Sequence, residues 1–227
     1  MWLYLIKHKY DISHIFSIFK SLVENQLSTK IKIFYSYNGG EYLKLRYFFF
    51  QTHEITCLIT LPYIPKHNGL SKRKHRHLVE TARCLLYHTS LPISFWSYVL
   101  ETTTYLINRM PTLDLNMKSP LEFLFHSSPN YSKLRTYECL YFPWLVPYVH
   151  NKLLPKSQPC IFLGHNKSQS AYLCYNFKTK KLYTSRHMHF VENVFPYSSG
   201  LATTSSLSPT SIPMCMQPSG PTPLNHI

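Results

Sequence analysis

Acidic residues are what this chain has least of: two Asp and eight Glu among 227 residues. So few carboxylates leave little material for any chemistry that gathers several acids around hard divalent cations. Against ten acids stand 24 Lys and Arg, a formal charge of +14. That imbalance calls for a polyanionic partner, either nucleic acid or an anionic membrane face. Long apolar runs are also missing. The richest stretch, LYFPWLVPYV, is short and interrupted by two prolines. It falls well below the roughly 20 residues of a membrane-crossing helix, so a spanning segment is excluded. The six cysteines, at 57, 84, 139, 160, 174 and 215, form no CxxC pair and offer no zinc-finger spacing. With no signal-peptide pattern in MWLYLIKHKY, a reduced, intracellular setting is expected. There is no glycine-rich phosphate loop, no locally supported Ser–His–Asp arrangement and no internal repeat.

What is present falls into three zones. Over the first part, short β-like runs alternate with helical patterns, which argues for an α/β layer. WLYLIK (2–7), IKIFYS (31–36) and ITCLIT (55–60) read as strands. Residues 11–26 read as an amphipathic helix with Asp11 as N-cap, and 42–51 as a short helix. SYNGGE makes a tight turn, and PYIPKHNG leads into a helix over about 68–89. LPISFWSYVLETTTYLINRMP gives another helix, stopped near Pro111. Trp96 and the Tyr105-Leu106-Ile107 run are expected in its packed face, and Trp144 at a domain junction. From about 136 to 197 the pattern becomes CIFLGH, SAYLCYNF and KLYTSRHMHF, split by polar turns, as in a small β-barrel. Residues 198–227 contain no Lys, Arg, Asp or Glu and are rich in Ser, Thr and Pro. They cannot offset their ordering entropy and are expected to be a disordered linker.

Several stretches together resemble the integrase region of copia-type LTR retrotransposon Pol polyproteins: LVENQLSTKIKIFYSYNGGEY, PYIPKHNGLSKRKHRHLVETARCLL, FWSYVLETTTYLINRMPT and SPNYSKLRTYECLYFPWL, continued by IFLGHNKSQSAYLC and SRHMHFVENVFPY. They run nearly collinearly from about residue 2 to 197. The resemblance implies an incomplete RNase H-like integrase core over 1–128, an SH3-like β-domain over 129–197 and a linker over 198–227. It also implies a nuclear location if the chain is expressed, a DNA partner, and a lineage in which three carboxylates hold two Mg²⁺ or Mn²⁺ ions for DNA integration.

The residues depart from that lineage where the metals would sit. Members read SDNGGE where this chain reads Ser36-Tyr37-Asn38-Gly39-Gly40-Glu41, so Tyr37 takes the place of an acid. They read Glu before RKHRH where this chain has Lys72, followed by Arg73-Lys74-His75-Arg76-His77. The resemblance puts the first acid on a strand upstream of Met1. Neither a phenol nor an ammonium replaces an anionic oxygen on a hard cation. Catalysis by the family route is therefore not expected, and neither is a bound divalent metal. Without that upstream strand, residues 1–60 are expected to be marginally ordered or to find another arrangement.

The helix over 68–89 keeps two faces. At about 100° per residue, Leu78, Ala82, Leu85 and Leu86 share one side, while Lys72, Arg73, Arg76 and Arg83 share an arc of roughly 100° on the other. Lys66 and Lys74 lie close in sequence. Two readings stand: a surface that contacts phosphates with low specificity, or an ordinary solvated face. His75-x-His77 and His187-x-His189 read as surface histidines. At the level of function, a decayed element product and a host-retained, non-catalytic DNA-binding or interaction protein are both open.

Overall fold

The computed structural model describes residues 1–36, 39–59, 69–148, 151–166 and 169–202, without the side chains of Phe48 and Met188. The chain divides into two compact units, residues 4–77 and residues 1–3 with 78–227.

In the first unit, α1 (Ile12–Leu27) buries Phe16 and Val23. Asp11 stands at its N-cap, but its carboxylate accepts from the His8 N–H at 3.1 Å, tying down the 3₁₀ turn Lys9–Asp11 that precedes the helix. The helix ends on Ser28 in left-handed backbone. Near that end Lys20 and Glu24 pair at 2.8 Å, and the other Glu24 oxygen accepts from the Ile31 N–H at 2.9 Å. That second bond fastens the helix to the entry of β1 (Ile33–Ser36), which pairs in parallel with β2 (Thr56–Ile59) in the register Ile33 opposite Thr56. Between the strands, α2 (Gly40–Leu45) widens into a π-helical turn, Arg46–Phe50. Phe16, Leu45, Phe50 and Ile55 form the core. Phe16 meets Phe34, Phe50 and Phe49 edge-on at 5.0, 5.1 and 5.6 Å, the favoured geometry for aromatic rings.

The strand expected over 2–7 is not formed; only Leu3 makes a bridge. The apolar run gives way to Lys7-His8-Lys9, and Tyr4 packs its ring edge-on to Phe19 at 6.0 Å instead of standing in a ladder.

α3 (Gly69–Thr89) begins in the first unit and ends in the second. After the 3₁₀ turn Ile93–Phe95, α4 (Trp96–Arg109) runs to Met110-Pro111, where the missing proline N–H stops it. Two of its three consecutive threonines turn their hydroxyls back onto the helix: Thr103 donates to the Val99 carbonyl at 2.7 Å and Thr104 to that of Leu100 at 2.8 Å. α5 (Pro120–Phe125) has Pro at its first position, and the Ser119 hydroxyl accepts from the Glu122 N–H at 3.0 Å.

Five strands complete the unit: β3 (Leu140–Pro143), β4 (Cys160–Asn166), β5 (Ala171–Asn176), β6 (Lys181–Ser185) and β7 (Met188–Val191). They form one antiparallel sheet in the order β6-β5-β4-β3-β7. KLYTSRHMHF, expected as one strand, is two, because the Ser185 hydroxyl donates to the His187 carbonyl at 2.8 Å and turns the chain. The sheet curls strongly, and the Trp144 N–H on the β3 side reaches the His187 carbonyl at 3.0 Å.

One face of the sheet, Ile161, Leu163 and Tyr175, packs with Phe95, Tyr98 and Val99 of the helical layer and with Ala82. The other encloses Cys139, Tyr141, Cys160, Phe162 and Cys174. Helix and sheet approach closely at Gly164, beside a β-bulge. A Cβ there would stand 2.5 Å from the Thr102 hydroxyl oxygen, which donates to the Leu163 carbonyl at 3.0 Å, and the glycine φ is +130°. Two tryptophans depart from expectation: Trp96 is 44% and Trp144 47% exposed. Trp96 opens α4 half-exposed, and Phe95 just before it takes the core position. Trp144 instead lies 6.0 Å from the Lys156 ammonium. Beyond β7 the chain continues in hydrogen-bonded turns to Ala202, which is buried.

Candidate nucleic-acid interface

The basic segment opens α3. Leu78 and Ala82 are buried, and Leu85 and Leu86 pack half-buried against the sheet-side core, so one face of the helix is committed to packing. On the other side Lys72, Arg73 and Arg76 are exposed within the first two turns; Lys74, also exposed, lies on the line of Leu78 one turn before the packed face begins. No carboxylate of the described residues forms an ion pair with any of them; the two ion pairs there are Lys20–Glu24 and Arg135–Glu192. The first turn carries no acid. Cations at a helix N-terminus oppose the macrodipole, at a cost of about 0.3–1 kcal/mol each when exposed. These side chains therefore do not serve the helix. They form a dense, uncompensated positive surface.

Arg83 is exposed further along, its guanidinium 5.9 Å from the Tyr87 ring centroid. Tyr37 and Lys66 lie outside the described residues, as do residues 203–227, most of the expected linker. His75, His77, His187 and His189 are exposed. Among the described residues, no three His, Cys, Asp or Glu side chains come together in a way that could hold a metal ion. Among the same residues no helix is long and apolar enough to cross a membrane.

Two sites in the second unit were not legible from pattern. Glu138 is fully buried on left-handed backbone (φ +62°), and neither carboxylate oxygen has a hydrogen-bond partner at bonding geometry. Burial pushes its carboxyl up to about 8, and the nearby Thr89 hydroxyl and Tyr197 backbone offset this only in part. Arg109, the last residue of α4, is buried against Tyr105. The only sequence signal for either was a charged residue amid apolar neighbours, in TYECLYF and YLINRMP.

The family model of the retroviral polymerase SH3-like domain matches residues 139–203, a span that holds all five strands of the antiparallel sheet. A retrovirus-related Pol polyprotein from transposon RE1 of Arabidopsis thaliana is 50% identical over 204 residues, 90% of this chain. The corresponding polyprotein from transposon TNT 1-94 of Nicotiana tabacum is 34% identical over 194 residues, 85% of this chain. The chain belongs to the copia-type retrotransposon Pol family, in its integrase region. It spans only 14% and 15% of the length of those two relatives. Among solved structures, a simian T-cell lymphotropic virus intasome in complex with PP2A regulatory subunit B56 gamma is 16% identical, covering 80% of this chain and 63% of that one at a TM-score of 0.42. A likeness at that level establishes no shared fold for this Pol segment.

Proposed function

We propose that this Pol segment is a non-catalytic nucleic-acid-binding module of the DNA-integration lineage, which contacts duplex DNA through Lys72, Arg73, Lys74 and Arg76, with Lys66 and Arg83 adding charge nearby. The observation that carries this reading is the run of exposed cations on the first turns of α3, unpaired with any carboxylate of the described residues and unfavourable to the helix that bears them. Contacts of this kind grip phosphates and fix a duplex without reading its bases, so specificity is low. Residues 1–128 descend from an RNase H-like core, and the protein acts in the nucleus where it is expressed.

Loss of catalysis rests on donor chemistry. Tyr37 and Lys72 offer a phenol and an ammonium at positions where the lineage uses acids, and an ammonium repels a divalent ion. The residues present do not fit Mg²⁺ or Mn²⁺, and no reaction step is assigned to them.

Two measurements test the proposal. Replacing Lys72, Arg73, Lys74 and Arg76 together by Ala should abolish binding to a duplex of arbitrary sequence; retained binding would move the interface elsewhere. Donor and target DNA supplied with Mg²⁺ or Mn²⁺ should not be joined, either by this chain or by a variant carrying Tyr37→Asp with Lys72→Glu. Metal-dependent joining by the unaltered chain would overturn the loss of catalysis.

A further inference from the structure

From Cys139 to Val191, the span of the antiparallel sheet and its connections, stand seven Lys or Arg and no Asp or Glu. The most exposed apolar group of this span lies on the connection from β3 to β4. Residues 151–154 make a turn in which the Leu154 N–H donates to the Asn151 carbonyl at 3.2 Å and the Leu153 N–H to the Asn151 side-chain oxygen at 2.9 Å. The turn holds Leu153 92% and Leu154 54% exposed. Lys152 and Lys156, both exposed, bracket Leu153-Leu154-Pro155. The turn is fastened to the end of β3: the Leu145 N–H donates to the Lys156 carbonyl at 2.8 Å, and the Lys156 ammonium lies 6.0 Å from the half-exposed Trp144 ring. The Trp144 N–H bonds to the His187 carbonyl in the link between β6 and β7, where Arg186 and His187 are exposed.

Two bare leucines, an indole and flanking ammonium groups with no acid among them narrow the choice of partner. A single-stranded nucleic acid would use the lysines and stack a base on Trp144, but it has no use for an aliphatic tip. A small apolar ligand is taken up in a concave site, and Leu153 stands clear of its surroundings. An anionic bilayer uses every part. Its acyl boundary receives the leucines, its headgroup level suits the indole, and its negative surface holds the lysines, whose stems let the ammonium groups stay in the polar layer.

We propose that the turn 151–156, with Trp144 behind it, docks on a membrane bearing anionic phospholipid. Leu153 and Leu154 enter the acyl boundary, while Lys152 and Lys156 remain among the headgroups. The chain lies on such a surface without spanning it. The contact uses no residue of α3 and stands whether or not that helix binds DNA.

The test sediments the full chain with phosphatidylcholine vesicles, with and without phosphatidylserine, at fixed ionic strength. The chain should sediment with the phosphatidylserine vesicles only. Any cationic surface is drawn to such vesicles, so the deciding variant leaves the charge untouched: Leu153→Ser with Leu154→Ser should weaken partitioning at least about tenfold. Lys152→Ala and Lys156→Ala should each weaken it about fivefold. Should the serine pair fail to fold, quenching by brominated acyl chains decides instead, read as the difference between the unaltered chain and Trp144→Phe; its presence supports docking and its absence overturns it. Partitioning that the serine pair leaves unchanged, or no partitioning onto phosphatidylserine vesicles, would overturn the proposal. An oligothymidylate that quenches Trp144 where vesicles do not would assign the surface to single-stranded nucleic acid instead.

Discussion

At the residue scale, Glu138 has the clearest consequence. Its carboxyl keeps its proton to about pH 8 in the folded chain, against an ordinary value of 4.5. The folded state thus binds one more proton than the unfolded state between those values. The contribution of this group to stability is complete below about pH 4.5 and is lost as pH rises to about 8. Urea unfolding between pH 5 and 9 should show the decline, and Glu138→Gln should flatten it over that window. A decline that survives in the Gln variant would refute the assignment. Gly164 is the second telling residue. Because a methyl group there would meet the Thr102 oxygen at 2.5 Å, Gly164→Ala should destabilise the second unit by about 1–3 kcal/mol in thermal unfolding. No loss would mean that α4 can move off β4 freely. Neither position was legible beforehand. A glycine in IFLGH reads as an ordinary strand residue, and a burial as complete as that of Glu138 depends on helix and sheet meeting around it.

Among elements, α3 shows how far pattern reading reaches. The spacing of Leu78, Ala82, Leu85 and Leu86 fixes which face packs, and the charges then have only the other face to occupy. β4 and β5 were equally legible, because short apolar runs bounded by polar turns leave few choices. Residues 2–7 were not. Five apolar residues followed by a lysine suit a strand or a packed loop alike, and pairing depends on neighbours that local sequence does not name. The split between β6 and β7 escaped for a related reason: the bond from Ser185 to His187 that turns the chain looks like any other Ser in a polar stretch. The N-terminal charges of α3 make a prediction of opposite signs. Lys72→Glu should stabilise the helix by about 0.3–1 kcal/mol in urea unfolding while weakening DNA binding. Equal losses in both would mean that Lys72 holds the helix together and has no separate role.

For the whole molecule, the division into residues 4–77 and the remainder has a direct spectroscopic consequence. All three tryptophans, Trp2, Trp96 and Trp144, fall in the second unit. Tryptophan fluorescence therefore follows that unit alone, whereas far-UV circular dichroism follows both. If the units unfold independently, the two denaturation curves should not coincide; superimposable curves would show a single cooperative transition.

The claim that matters most is that a surface left by a lost active site still grips phosphates. Affinity for a duplex of arbitrary sequence, measured across a range of salt concentrations, tests it most directly. Four phosphate contacts by Lys72, Arg73, Lys74 and Arg76 predict a slope of log K on log salt of about −3 to −4. An affinity that ignores salt, or a slope that stays the same when those four side chains are neutralised, would contradict it.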